Sequence, residues 1–397
     1  MEYSGLKLNP CLFQDDVARL AENLDAVKDG NQRMESMAES KLLDFNLDKS
    51  NMLIIGNKKF RNKINQELQI NPIMFCNSIM KSSESEKYLG DYMSHSLSES
   101  VFITVQRRKG LTMRLINETK FTIEDIRANN TGGLVTGIDI WNMAVAPYLF
   151  NNSDCWVNIP RKAINVLNAI HNAFFVSLFG TSTGCPIPIF YWDSGILTPE
   201  NQIILKKLLF YHHLLTLPEN SLAREIAEIQ KERNLEGLVK ECDNILNDLE
   251  ITSDPSNFTK KHWKKIAKEA IQKKNRTELL DRMKSYKKLE PSRFAEEDCG
   301  AQPYLKNMNI SYARTFFSSR AHMLKSVQMN FKRKEEYAAN QYKCSCGEED
   351  HQSHLISCPS YQHLRQGLDL ERSDSDLVRY YQLIVKEREQ KEDEEKL

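Results

Sequence analysis

From about Ser96 to Leu215 apolar residues recur at helical spacing, and this stretch constrains the fold more than any other. Val101–Ile116 and Arg161–Phe179 read as long amphipathic helices, and Asn201–Leu217 as another. His212 and His213 are adjacent in it, so they point about 100° apart around the helix and do not share a site; both read as structural. Residues 219–250 read as a charged amphipathic helix or helix pair, closed by the break at Asp254-Pro255. Residues 374–390 read as a last helix before a mixed-charge tail.

Strand signals are confined to the front. Residues 1–20 read as a hairpin, and 21–43 as an amphipathic helix that Gly30 interrupts midway. Met52–Ile55 reads as a buried strand, Lys58–Leu68 as a helix, with further strands near Ile73–Phe75 and Tyr88–Leu89. The fold class is therefore α+β becoming mainly α.

The 397 residues leave room for two or three domains, and 41% hydrophobic with 27% charged residues is the balance of a globular chain. Net charge is zero, so any polyanion partner must be met by a local patch. No apolar run reaches about 18 residues, so no spanning helix and no membrane partner is expected. The N-terminus lacks a signal peptide's basic and apolar regions. Of nine cysteines, six are scattered singly (Cys11, Cys76, Cys155, Cys185, Cys242, Cys299), which reads as a reduced intracellular chain of the nucleus or cytoplasm.

The other three cysteines form the sharpest motif. Cys344-x-Cys346-x7-His354-x3-Cys358 offers three thiolates and an imidazole, a donor set suited to tetrahedral Zn²⁺. His354 and Cys358 are four apart, so one helical face presents both. Gly347 permits the tight turn that a chelating loop needs. His351 is an alternative to His354. Four protein ligands leave no open position, so such a zinc is structural.

Charge is concentrated in two stretches. Residues 259–293 hold thirteen cationic side chains, among them Lys260, Lys261, Lys264 and Lys265, against four acidic ones. From Cys299 to Lys334 there is no acidic residue, while Arg314, Arg320, Lys325, Lys332 and Arg333 lie among aromatics. Cations meet phosphates and aromatics stack on unpaired bases, so residues 259–363 are a candidate nucleic-acid surface. Phe316 and Phe317 read as core.

Near the front, Leu8-Asn-Pro-Cys-Leu-Phe-Gln-Asp-Asp16 ends an apolar run in two adjacent carboxylates. Asp15 and Asp16 read either as a polar turn or as ligands for Mg²⁺, which takes oxygen donors. Downstream lie Asn46-Leu-Asp-Lys49-Ser50 before a strand and Lys87-Tyr-Leu-Gly90. An aspartate pair, a helix, an Asn-x-x-Lys-Ser turn and a Tyr-Leu-Gly hairpin resemble the second half of the palm of a reverse transcriptase of the non-LTR (LINE-like) retrotransposons. Ala146-Pro-Tyr-Leu-Phe150 with Cys155-Trp156 resembles the stretch that opens the thumb, and the cysteine–histidine cluster resembles the family's zinc knuckle.

The resemblance implies a partial antiparallel palm sheet of a right-hand polymerase in residues 1–95, and a helical thumb and linker in 96–217. A charged, basic helical linker (218–335), a zinc-knuckle region (336–370) and a C-terminal helix with its tail (371–397) follow. It implies an RNA-directed DNA polymerase ancestry, with RNA template, DNA primer or target, and deoxynucleoside triphosphates as partners. Phe13–Asp16 then matches the catalytic box: Asp15 is the principal Mg²⁺ ligand, Asp16 its neighbour, and Lys49 lies near the triphosphate. The family's other catalytic aspartate lies upstream, and among the fourteen residues before Asp15 only Glu2 is acidic. The fingers and first catalytic motif are thus expected to be missing, no nuclease is expected in the residues after Cys358, and this chain is expected to bind and not turn over. The alternative from the same residues is a non-catalytic, zinc-containing nucleic-acid-binding protein.

Overall fold

The computed structural model describes residues 2–3, 6–7, 11–13, 16–125, 132–182, 184–286, 289, 294–324, 343–348, 350 and 352–394. Lys325, Lys332, Arg333, Asp15 and His351 lie outside the described residues. The fold is α+β and mostly helical.

Among the described residues ten short strands come first: β1 (Glu2–Tyr3), β2 (Leu6–Lys7), β3 (Cys11–Phe13), β4 (Asp16–Ala18), β5 (Asn51–Leu53), β6 (Met74–Phe75), β7 (Ser78–Ile79), β8 (Lys81–Ser83), β9 (Ser85–Tyr88) and β10 (Asp91–Ser94). Between and after them lie α1 (Leu24–Lys41), α2 (Lys58–Ile70) and α3 (Leu97–Asp125). The expected single antiparallel sheet is not assembled among the described residues. The strands pair as five separate two-stranded ladders, and β5 with β8 is parallel. Strands of two to four residues bury too little to recruit a third neighbour. The run Met52–Ile55, expected buried, is only half-buried, and Ile55 is exposed.

The helices that follow are α4 (Gly133–Ile140), α5 (Ala146–Leu149), α6 (Arg161–Phe179), α7 (Ile187–Ser194), α8 (Pro199–Leu215), α9 (Leu222–Glu232) and α10 (Leu238–Asp248). They continue with α11 (Lys260–Met283), α12 (Pro303–Asn307), α13 (Ile310–Arg320), α14 (Gln352–Ser357) and α15 (Asp374–Glu394). Between α4 and α5 one π-helical turn, Trp141–Val145, joins the two, and Ala146 N–H donates to Trp141. Pro147 follows, and having no N–H it cannot restore the regular ladder.

The chain divides into two compact units, each gathered from three segments distant in sequence. The first holds 1–107, 152–164 and 207–260. In it α1 turns Leu24, Val27, Asn31 and Ala38 inward, and Asn31 Nδ2 donates to the Met74 carbonyl at 3.1 Å. Gly30 does not break this helix. A side chain there would collide with the Arg19 guanidinium, which crosses it to reach the Val27 carbonyl at 2.7 Å. Leu42 and Leu43, inside the range expected to be helical, are exposed because the helix ends at Lys41 and Leu42 turns left-handed; Met37, within the helix, is exposed as well. Farther along, Tyr211 donates to Asp243 at 2.8 Å, and Lys207 pairs with Glu241.

The second unit holds 108–151, 165–206 and 261–397. Its core is aromatic. Phe175 stacks on Phe190 at 5.2 Å, Phe190 on Phe317 at 5.1 Å, and Trp141 meets Phe174 at 4.5 Å. Phe316 and Phe317 are both buried. On α11 the buried residues are Trp263, Ala267, Ile271, Asn275, Leu279 and Met283. That four-residue step advances about 40° per repeat, so the buried ridge winds around the helix.

Candidate metal centre

The site begins with a turn. The Gly347 N–H donates to the Cys344 carbonyl and the Cys344 N–H to the Glu348 carbonyl, both at 2.8 Å. Gly347 has φ +91°, a left-handed backbone that suits glycine and folds Cys346 back beside Cys344. The short helix α14 then carries His354, and Cys358 ends it just ahead of Pro359. Leu355 on α14 is buried, which fixes the helix's inward face, while Tyr380 of α15 donates to the Leu355 carbonyl at 2.6 Å.

These turns bring four donors together. Cys344 Sγ lies 3.5 Å from Cys358 Sγ, and Cys346 Sγ lies 3.1 Å from His354 Nε2. All four ligand atoms fall within 4.8 Å of one another. A tetrahedral ion with bonds of about 2.3 Å to sulfur has S···S edges of about 3.8 Å, so the quartet fits a metal ion of that kind. Cys344 and Cys358 are buried, whereas Cys346 and His354 are half-buried. Burial opposes ionisation of Cys344, but hydrogen bonds from the Cys346 backbone and the neighbouring ligand side chains hold its pKa down, to about 7. Burial and the bond to Cys344 push the Cys358 thiol up to about 11. A cation among the thiols favours the thiolate form.

A supporting layer surrounds the ligands. Cys344 and Cys358 sit in a cluster with Leu324, Leu355, Tyr361, Tyr380, Tyr381 and Ile384. Arg365 donates to the Cys358 carbonyl at 3.1 Å and also to the Ile356 carbonyl. Asp350 is buried and pairs with Arg388, which also reaches the Tyr361 hydroxyl at 3.0 Å. The sequence gives no period for these partners: Asp350 is one of three consecutive acids after Gly347, and Arg388 is one of two arginines on α15.

The other anticipated site residues are placed differently. Asp16 opens β4, its backbone opposite Phe13 in the hairpin. Lys49 is exposed on a short turn, its N–H accepted by the Asn46 side chain at 3.3 Å. Among the described residues the cysteine–histidine quartet is the one group of three or more such side chains placed to hold a metal. Lys260, Lys261, Lys264 and Lys265 are exposed at the start of α11. Taken at about 100° per residue, Lys261, Lys264, Lys265 and Lys268 share one face roughly 100° wide. Arg314 instead caps the end of α6, donating to the Leu178 and Ser177 carbonyls at 3.0 and 3.3 Å.

Arg320 requires a correction. It is buried, with Asp193 at 2.8 Å and Glu297 at 2.6 Å, and its guanidinium is committed to those carboxylates and not to phosphate. Tyr304 donates to the same Asp193 at 2.7 Å. Burial pushes the Asp193 carboxyl up, and the Arg320 charge opposes that shift. Asp193 is a site that sequence reading missed, although one acid inside the apolar run Ile187–Ile196 signals a buried charge in need of a partner.

No known protein family, curated protein or solved structure matches the chain. No described helix is long and apolar enough to cross a membrane.

Proposed function

We propose that this chain corresponds to the second half of the palm, the thumb, the basic linker and the zinc knuckle of a non-LTR retrotransposon reverse transcriptase, and that its own contribution is to hold nucleic acid. The observation that carries this reading is the convergence of Cys344, Cys346, His354 and Cys358, a knuckle-like spacing, into one closed four-ligand centre. Zinc there supplies a cross-link between the turn and α14, with no open position for substrate. The cationic face of α11 supplies phosphate contacts. Template-primed synthesis from deoxynucleoside triphosphates belongs to the parent polymerase, where Asp15 and Asp16 take Mg²⁺ and Lys49 faces the triphosphate.

The test is a titration of labelled single-stranded RNA and of an RNA–DNA hybrid over a salt series. Binding that weakens steeply on a log–log plot is expected, with a shallower slope in a variant carrying Lys261→Gln, Lys264→Gln, Lys265→Gln and Lys268→Gln. A salt-independent signal overturns the reading. A second reading, a non-catalytic zinc-containing nucleic-acid-binding protein, is favoured by the quartet itself, whose four protein ligands leave no open position for chemistry. Primer extension in Mg²⁺ that disappears with Asp15→Asn selects the polymerase. Binding without extension selects the second reading.

A further inference from the structure

Helix α2 lies in the first unit, far in sequence from the metal quartet and from α11. It buries no residue fully; Arg61, Ile64 and Leu68 are half-buried and define its inward side. At about 100° per residue, Lys59, Asn62, Lys63 and Gln66 then occupy the opposite side, with Lys58 on the flank next to Asn62. The same side chains line an open depression of about 830 Å³, with Phe60 at its edge. Lys58, Lys59 and Lys63 are all exposed and none makes an ion pair among the described residues.

Two features go beyond a solvated lysine face. The first turn of α2 carries no acidic residue, and cations there oppose the positive end of the helix dipole, so the positive potential is reinforced where an acidic residue would ordinarily relieve it. Phe60 is 43% exposed, although a ring of its size ordinarily turns inward. Its N–H is capped by the Asn57 side chain at 2.9 Å, and its ring lies against Gly56. A Cβ at residue 56 would stand 2.8 Å from that ring, so glycine is what lets the ring lean there.

We infer that the outward side of α2 binds single-stranded nucleic acid, with Lys58, Lys59 and Lys63 meeting backbone phosphates and Phe60 offering its ring to an unpaired base. Lys59 and Lys63 are one turn apart, about 6 Å along the axis, so they present as a pair to a strand laid along the helix. Asn62 and Gln66 lie between and beyond them, with amides that both donate and accept and so match base edges as a peptide carboxylate does not require. Cations plus an exposed aromatic ring are the combination that single strands use, the ring being indifferent to sequence. The inference shares with the proposed function only the class of ligand; the residues and the unit are different.

The experiment uses the full chain with a labelled oligouridylate, read by anisotropy over a salt series. The triple variant Lys58→Gln, Lys59→Gln, Lys63→Gln is expected to lower the log–log slope by about 2, since each single-strand phosphate contact contributes about 0.7. Phe60→Leu is expected to weaken binding about tenfold with the slope unchanged, because stacking is lost and charge is not. All four side chains are exposed, and circular dichroism checks that the variants remain folded. If the α2 variants bind like the parent while the α11 variant loses affinity, this inference is overturned and the proposed function stands. If the α2 variants lose affinity and the α11 variant does not, the inference stands and the α11 face falls. Competition by polyglutamate as effective as by oligouridylate reassigns the face to acidic protein segments and overturns it. Absence of any binding by the parent chain overturns both.

Discussion

Arg388 grips Asp350 with both terminal nitrogens, Nη2 at 2.8 Å from Oδ1 and Nη1 at 3.0 Å from Oδ2. Asp350 stands in the ligand-bearing segment between Cys346 and His354, and Arg388 is on α15. The pair therefore ties the last helix to the metal loop. Asp350 is 1% exposed, so removing the arginine takes a bidentate counter-charge from a buried carboxylate. Arg388→Met is expected to cost roughly 3–5 kcal/mol, the range for breaking a buried pair. Chemical denaturation measures the loss, and hydrogen exchange should place it in α15. Unchanged exchange there would show that the apolar cluster alone holds the helix.

Chelation gives a related expectation. Cys344 and Cys358 belong to the same buried cluster as Tyr380, Tyr381 and Ile384 of α15. Stripping a bound metal leaves thiols at the centre of that cluster, and metal-ligand energy is folding energy in small sites of this kind. Treatment with a strong chelator should reduce far-ultraviolet helix signal and raise exchange in α14 and α15, with recovery on adding Zn²⁺. Cys358→Ser should show the loss without chelator and fail to recover. Equal exchange with and without metal would remove the coupling.

Arg320 separates folding from binding. Arg320→Leu leaves Asp193 fully buried with only the Tyr304 hydroxyl as a partner, and several kcal/mol of destabilisation is expected, on the order of 3–5. Replacing both, Asp193→Asn with Arg320→Leu, should recover part of that loss, since the fully buried charge is gone and the carboxylate left without the arginine, Glu297, is partly exposed. Thermal melts of the two variants decide it. A stable Arg320→Leu protein with weakened RNA binding would return Arg320 to the nucleic-acid surface.

The helices were legible because their period is local. Arg161–Phe179 was expected and observed with the same ends, and Lys58–Ile70 differs from its expected end by two residues. The metal quartet was legible for the same reason, as its four ligands fall within fifteen residues and two of them share a helical step. What was not legible depends on distance along the chain. Asp193 and Arg320 are 127 residues apart, and no spacing rule joins them. Composition likewise gave no warning that each compact unit is gathered from three separated segments. The front half misled differently: Met52–Ile55 has the residue types of a buried strand, but burial requires a partner surface that composition does not supply.

His171 sets the acid limit of the second unit. It is 1% exposed, packed against Trp141 at 4.6 Å and Tyr191 at 5.8 Å, and neither ring nitrogen has a hydrogen-bond partner among the described residues. Burial lowers its pKa from 6.5 to about 3. The unfolded chain therefore takes up a proton on this residue before the folded chain does. The folded state's advantage is complete above about pH 6.5 and is lost as pH falls from there toward 3, at up to about 1.4 kcal/mol per pH unit. His171→Phe keeps a ring among its aromatic neighbours, removes two unpaired polar atoms and abolishes this titration. The difference in unfolding free energy between variant and parent should thus grow in the variant's favour as pH is lowered from 6.5 to 4. Carboxylates titrating in the same range contribute equally to both proteins and cancel. Parallel stability curves across that range would mean that His171 gains a proton acceptor or solvent contact in the folded state, contrary to its packing.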